Sequence, residues 1–175
     1  TFMRATSDTH ETLYALAQRV GACLIQHELM LVTAESCTGG WLGQAITSVP
    51  GSSLWYERGF ITYSNLSKQE MLGVQSTTLA QYGAVSSQTA QEMVLGALNR
   101  SHAQIGVSIT GIAGPDGGTV NKPVGMVCFA WTTKTGCVQQ EIYHYQGDRE
   151  AIRHQAVTTA LNGILMLIDN ISVTV

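Results

Sequence analysis

Residues 29–40 read Leu-Met-Leu-Val-Thr-Ala-Glu-Ser-Cys-Thr-Gly-Gly. Leu29 to Ala34 is a short apolar run containing Val32 and Thr33, which predicts a buried strand. It runs into the turn Glu35-Ser36-Cys37-Thr38-Gly39-Gly40. A helix is predicted to open at about Thr38 or Gly39 and to reach Thr47, stopped near Pro50-Gly51. The pattern recurs downstream. Ile105 to Ile109 again reads as a buried strand and passes into Thr110-Gly111-Ile112-Ala113-Gly114-Pro115-Asp116-Gly117-Gly118.

Around these two units the remaining elements fall into place. Asp8 to His27 is predicted helical, capped by Asp8 or Thr9, with Glu11 or Thr12 in the first turn. Leu13, Leu16, Ala17, Val20 and Leu24 repeat at the spacing of one buried face. A second strand is predicted within Trp55 to Ser64. Short helices follow at Asn65–Leu72, closed by Gly73, and at Ser76–Tyr82, followed by Gly83. Ser86 or Ser87 caps a longer helix through Asn99. Val124–Thr133 and Val138–Tyr145 form a hairpin around Lys134-Thr135-Gly136, and Arg149 to Ile168 is the closing helix. About five strands and six helices predict an α/β fold: a three-layer α/β/α sandwich with a mixed, about five-stranded sheet. One domain is expected over residues 8–170, with 1–7 a flexible N-terminal segment.

Composition narrows the function. Of 175 residues, 45% are hydrophobic and only 12% charged, about half the usual charged share. Sparse surface charge suggests burial between subunits, so a homo-oligomer is expected. The net charge is −3 and no run of Lys or Arg occurs, which disfavours nucleic acid as partner. No apolar run reaches the roughly 18 residues of a membrane span, and the N-terminus lacks a signal-peptide layout. A cytoplasmic protein is expected. Cys23, Cys37, Cys128 and Cys137 form no Cys-x-x-Cys pair and have no His at zinc spacing. They read as reduced thiols, and no metal site is evident.

Both small-residue turns end strands, and in open α/β sheets ligands collect outside the carboxyl ends of the strands. In the first turn, Ser36 sits between a strand and a helix, a layout like a nucleophile elbow without its Gly-x-Ser-x-Gly pattern. The backbone N–H groups of Cys37 to Gly40 would face an oxyanion, and Gly39 and Gly40 allow close approach of a substrate. Equally, Ser36 or Thr38 can serve only as a helix cap. Cys37 is a rival nucleophile whose thiol a helix N-terminus would acidify. A serine nucleophile needs a base. No His lies in a strand-end turn, whereas Lys68 follows the second strand and a desolvated lysine can act as base. Tyr63 would relay its proton or orient it. An exposed helix lysine is the plainer alternative. The second turn can cradle a phosphate or ribose through its backbone, although it matches neither a Walker loop nor Gly-x-Gly-x-x-Gly. Lys122 adds a cation near it. Arg149 and Arg153 share a helix face and can bind an anion or pair with Asp148 or Glu150.

These words occur together in one known family. Thr33 to Gly40, Gly59 to Asn65 with Lys68, Gly83 to Ser86, Ser108 to Gly118, Lys122 to Gly125 and Gly147 to Arg149 follow one another in the right order. Over roughly residues 10 to 170 the chain resembles the C-terminal domain family of the competence/damage-inducible protein CinA, and specifically its stand-alone nicotinamide-nucleotide amidases. The resemblance implies hydrolysis of nicotinamide mononucleotide to nicotinic acid mononucleotide and ammonia, without metal or organic cofactor, by an oligomer. It implies Ser36 as nucleophile, Lys68 as base, Tyr63 as helper and Thr110 as a site hydroxyl. With that substrate, Thr38, Gly39, Gly40, Gly111, Gly114, Gly117, Gly118, Arg149 and Arg153 become expected substrate contacts. A catalytically silent nucleotide-binding or regulatory domain of the same fold is the alternative, and a DNA-uptake adaptor a weaker one.

Overall fold

The computed structural model describes residues 11–172. Thr12 Oγ1 accepts a hydrogen bond from the Ala15 N–H at 3.1 Å and caps α1 (Leu13–Gln26). The helix thus begins later than its polarity suggests. The expected caps Asp8 and Thr9, and the segment 1–7, lie outside the described residues. Leu16, Ala17, Val20, Gly21 and Leu24 form the buried face. Gly21 is there for contact, since a Cβ would stand 2.6 Å from the Trp55 ring.

The strands are β1 (Leu31–Glu35), β2 (Tyr56–Ile61), β3 (Ile105–Gly111), β4 (Met126–Thr133) and β5 (Gln139–His144). They form one sheet in the order β2-β1-β3-β4-β5. β1 pairs in parallel with β2 and β3, while β3–β4 and β4–β5 are antiparallel. Parallel pairing requires crossovers that put helices on both faces, and β1 is accordingly buried along its whole length. The edge strand β5 instead alternates in burial.

The pleat divides side chains between two helical layers. Leu31, Val107, Phe129 and Trp131 pack with residues of α1, α2 (Trp41–Thr47) and α6 (Arg149–Ser172). Val32 and Ala34 point the other way and pack on Leu72, Leu79, Met93 and Ala97 of α3 (Asn65–Leu72), α4 (Ser76–Tyr82) and α5 (Ser87–Asn99). The expected three-layer sandwich is the one observed. A short 3₁₀ turn at Ser52–Leu54 is an addition to it. Among the described residues no helix is long and apolar enough to cross a membrane.

Two boundaries differ from expectation for the same physical reason. α2 starts at Trp41 rather than Thr38 or Gly39, because Gly39 (φ 58°) and Gly40 (φ 102°) take left-handed conformations that an α-helix excludes. β4 starts at Met126 rather than Val124, because Gly125 (φ 94°) breaks the extended backbone. β1, β2 and β3 point the same way. Their carboxyl ends therefore deliver Ser36, residues 62–63 and Thr110 to one edge of the sheet.

Candidate active site

Ser36 leaves β1 with its N–H bonded to the Ile109 carbonyl of β3 at 3.0 Å, and it is 7% exposed. The turn that follows is held from outside the cavity. Its organiser is Glu35, a residue not among those expected at the site. This carboxylate, 2% exposed, accepts hydrogen bonds from the N–H groups of Gly40 (3.2 Å), Leu42 (2.9 Å) and Gly43 (3.0 Å). It thereby satisfies the otherwise unpaired amides at the start of α2. A signal did exist, namely a lone carboxylate closing an apolar strand just ahead of a helix start.

The Glu35 contacts narrow the set of oxyanion donors. Of the four N–H groups from Cys37 to Gly40, Gly40 serves Glu35 and Gly39 donates to the Ser36 carbonyl at 3.1 Å. Thr38 is fully buried. Cys37 lines the cavity, and its N–H makes no hydrogen bond to another described residue.

Lys68 stands on the first turn of α3, whose cap is Ser64, with Oγ accepting from the Ser67 N–H at 3.0 Å. Rather than an exposed helix lysine, it is a buried one, 1% exposed. Its Nζ lies 2.9 Å from Ser36 Oγ, 2.7 Å from the Thr62 carbonyl and 3.3 Å from the Tyr63 carbonyl. Burial lowers its pKa from the ordinary 10.5 to about 8. A neutral amine has two hydrogens and one lone pair. With both hydrogens on the carbonyls, the lone pair is left for the Ser36 hydroxyl, the geometry of a general base. The Tyr63 side chain does not supply this orientation. It is 63% exposed, and its hydroxyl accepts from Arg149 Nη2 at 3.2 Å, so the residue reaches Lys68 through its carbonyl.

These groups open into a cavity of about 300 Å³. Its walls include Ser36, Cys37, Tyr63, Lys68, Thr110 and Arg149, with Gly111, Gly114 and Gly117 from the second turn. Thr110 Oγ1 donates to the Ala84 carbonyl at 2.8 Å, leaving its oxygen free to accept. Arg149 Nη1 donates to the Gly114 carbonyl at 2.6 Å. The walls also include Ala84, Val85 and Asp116, which are not among the expected site residues. Ala84 and Val85 lie before α5, far from the strand ends in sequence; their signal was the Gly83–Ser86 stretch shared with the family, which the fold brings to the cavity.

Five expected substrate contacts do not line the cavity. Thr38 is buried, Gly39 exposed and Gly40 half-buried, all outside the cavity wall. Gly118 backs onto the Val124 N–H, 2.8 Å from where its Cβ would be, and faces outward. Arg153 is spent on the Ser36 turn, donating from Nε to the Cys37 carbonyl (3.1 Å) and from Nη2 to the Thr38 carbonyl (3.0 Å). Lys122 likewise donates to the Tyr82 carbonyl. As for the rival nucleophile, burial pushes the Cys37 thiol up to about 12, opposite to the acidification expected at a helix start. No His lines the cavity. Among the described residues no group of three or more His, Cys, Asp or Glu is arranged to hold a metal ion.

Comparison with known proteins bears on the same chain from another side. The sequence matches the CinA C-terminal domain over residues 13–168. It is 50% identical over 153 residues to the nicotinamide-nucleotide amidohydrolase PncC of Escherichia coli (strain K12), covering 87% of this chain and 93% of that protein. The Enterobacter agglomerans protein of the same name is 48% identical over 157 residues, covering 90% and 96%. The crystal structure of the competence/damage inducible protein CihA from Agrobacterium tumefaciens superposes with a TM-score of 0.88 at 44% identity, covering 93% of this chain and 99% of that one. Sequence and fold agree over nearly the whole length described: the chain belongs to the CinA C-terminal domain family.

Proposed function

We propose that this protein is an amidohydrolase that converts nicotinamide mononucleotide to nicotinic acid mononucleotide and ammonia, with Ser36 as nucleophile and Lys68 as base. The observation that carries this reading is the 2.9 Å approach of Lys68 Nζ to Ser36 Oγ with two carbonyls holding the amine's hydrogens. The names and identities of the relatives support the substrate. The low charged fraction supports a homo-oligomer, and the net charge of −3 without a run of Lys or Arg supports a small-molecule substrate rather than nucleic acid; a cytoplasmic location is part of the same reading.

A carboxamide is a poor electrophile, so both an activated hydroxyl and oxyanion stabilisation are needed. In this reading Ser36 Oγ passes its proton to Lys68 and bonds to the carboxamide carbon. The carbonyl π electrons move to oxygen, where the Cys37 N–H receives the oxyanion. As the C–N bond breaks, Lys68 returns the proton to the leaving nitrogen, and ammonia departs from an acyl-Ser36 ester. Water then attacks that ester and gives a proton to Lys68. Collapse expels Ser36 Oγ, which recovers the proton, and the acid leaves. Thr110, Gly111, Gly114, Gly117 and Arg149 form the wall that receives the rest of the nucleotide, with Arg149 nearest in character to a phosphate partner. Tyr63 closes the mouth beside Arg149.

Ammonia release from nicotinamide mononucleotide by wild type, Ser36→Ala and Lys68→Ala tests the reading. Both variants are expected to lose about 10³-fold or more in kcat/KM. Ser36→Ala that keeps about a tenth of wild-type activity, or a folded wild type that releases no ammonia, overturns it.

A further inference from the structure

Three consecutive carbonyls of the nucleophile turn are pinned. The Ser36 carbonyl accepts from the Gly39 N–H, the Cys37 carbonyl from Arg153 Nε, and the Thr38 carbonyl from Arg153 Nη2 and from the Trp41 N–H. Arg153 reaches in from α6, does not line the cavity, and lays its guanidinium over Trp41 at 5.3 Å from the ring centroid. The planar guanidinium has a fixed fork of donors, and here the fork spans adjacent peptide groups. A peptide is rigid and planar, so fixing its carbonyl fixes its whole plane. The Cys37 N–H shares its peptide with the Ser36 carbonyl, which the Gly39 N–H holds. The Gly39 N–H in turn shares its peptide with the Thr38 carbonyl, which Arg153 holds, and Arg153 also holds the Cys37–Thr38 peptide between them. The Cys37 N–H and Ser36 Oγ are then fixed relative to one another. Gly39 and Gly40 supply no rigidity of their own, because glycine is the residue freest to rotate.

We infer that Arg153 is a positioning residue: from behind the turn, it holds the Cys37 N–H where the oxyanion formed at Ser36 will lie. The inference rests on the serine amidase reading. It gives Arg153 a role unlike the substrate contact its sequence position suggests. Loss of the fork leaves substrate binding intact, since Arg153 is outside the cavity, and weakens a contact made only in the transition state.

Two measurements on the full chain test this. Steady-state hydrolysis of nicotinamide mononucleotide separates kcat from KM. Labelling of Ser36 by a fluorophosphonate, in which Oγ replaces fluoride on phosphorus and the phosphoryl oxygen takes the oxyanion position, reads the same geometry without the substrate. Arg153→Ala is expected to lower kcat by about 10- to 100-fold, as a misplaced rather than deleted donor would. KM should stay within about threefold and labelling should slow in parallel. Should Arg153→Ala not fold, Arg153→Lys carries the comparison, because it keeps the charge and stem but cannot donate to both carbonyls in one fork. Wild-type kcat and labelling in a folded variant overturn the inference. So does a raised KM for the mononucleotide at unchanged kcat, which would return Arg153 to phosphate binding. A wild type that labels and turns over while the variants match it removes the inference alone. A wild type that does neither removes the amidase reading and the inference together.

Discussion

The two turns that meet in the crevice are built in opposite ways. The turn at 35–40 is packed between β1, α2 and α6. Glu35, Ser36, Cys37 and Thr38 are all buried, and side chains from behind hold both its N–H and its carbonyl groups. The turn at 110–118 leaves the sheet buried and becomes exposed from Pro115 onward. Its anchors are few: Gly125 N–H on the Ile112 carbonyl, Ile112 N–H on the Met126 carbonyl, and the exposed Arg149 on the Gly114 carbonyl. Bond-making needs atoms held to fractions of an ångström, and recognition of a whole ligand tolerates a looser wall. The contrast fits the proposed division, chemistry at the first turn and selection at the second, and each half can be broken separately.

Of the tests that separate the two turns, the largest effect expected is on pH dependence, and it belongs to the first turn. The proposed base role requires Lys68 as the neutral amine, and burial brings its pKa down to about 8. The free-enzyme kcat/KM should therefore rise with pH to a plateau above 8 and fall about tenfold per unit below it, or about 100-fold by pH 6. A flat profile through that range would remove Lys68 as base. Stability carries the same signature. The unfolded chain keeps this proton to about pH 10.4, and the folded chain releases it near 8. Between those values the unfolded state binds more protons, so the contribution of Lys68 to stability rises with pH across the window and is flat below it. Urea unfolding at pH 8 and pH 10 should show the rise in wild type and its loss in Lys68→Met.

Glu35→Gln attacks the scaffold of the first turn. The amide offers one carbonyl oxygen where the carboxylate offers two, and its NH₂ faces backbone N–H groups that need acceptors. A loss of about 2–3 kcal/mol of unfolding free energy is expected, together with lowered kcat. Unchanged stability in urea would mean that glycine geometry and Arg153 suffice to hold the turn.

How far the sequence carried this site depends on what kind of atom does the work. The strands were legible because buried parallel strands read as continuous apolar runs, as at Leu31–Glu35 and Ile105–Gly111. The convergence of the Ser36 and Thr110 turns followed from strand direction. The α2 boundary was misplaced because glycines that look like a helix start take positive φ instead. Less visible still was the work of backbone carbonyls. Nothing in the identity of Thr62 or Tyr63 says that their carbonyls will orient Lys68, and residue type alone pointed instead to the Tyr63 phenol. Glu35 escaped because a carboxylate beside a nucleophile reads as solvent-facing until the fold buries it.

The two arginines of α6 give the smallest and sharpest test. One helical turn apart, Arg149 and Arg153 look equivalent in sequence. The structure separates them: Arg153 faces the first turn, and Arg149 lines the cavity beside the second, touching the Gly114 carbonyl and the Tyr63 hydroxyl. An exposed guanidinium with donors to spare can take up a phosphate without giving up both contacts. Arg149→Ala should then raise KM for nicotinamide mononucleotide about tenfold, leave kcat within about threefold, and leave hydrolysis of free nicotinamide little changed. Equal losses on the two amides would mean that Arg149 braces the second turn instead of reading the phosphate. Selection would then have to reside in the remaining cavity wall, and the division of labour between the turns would shift from charge to shape.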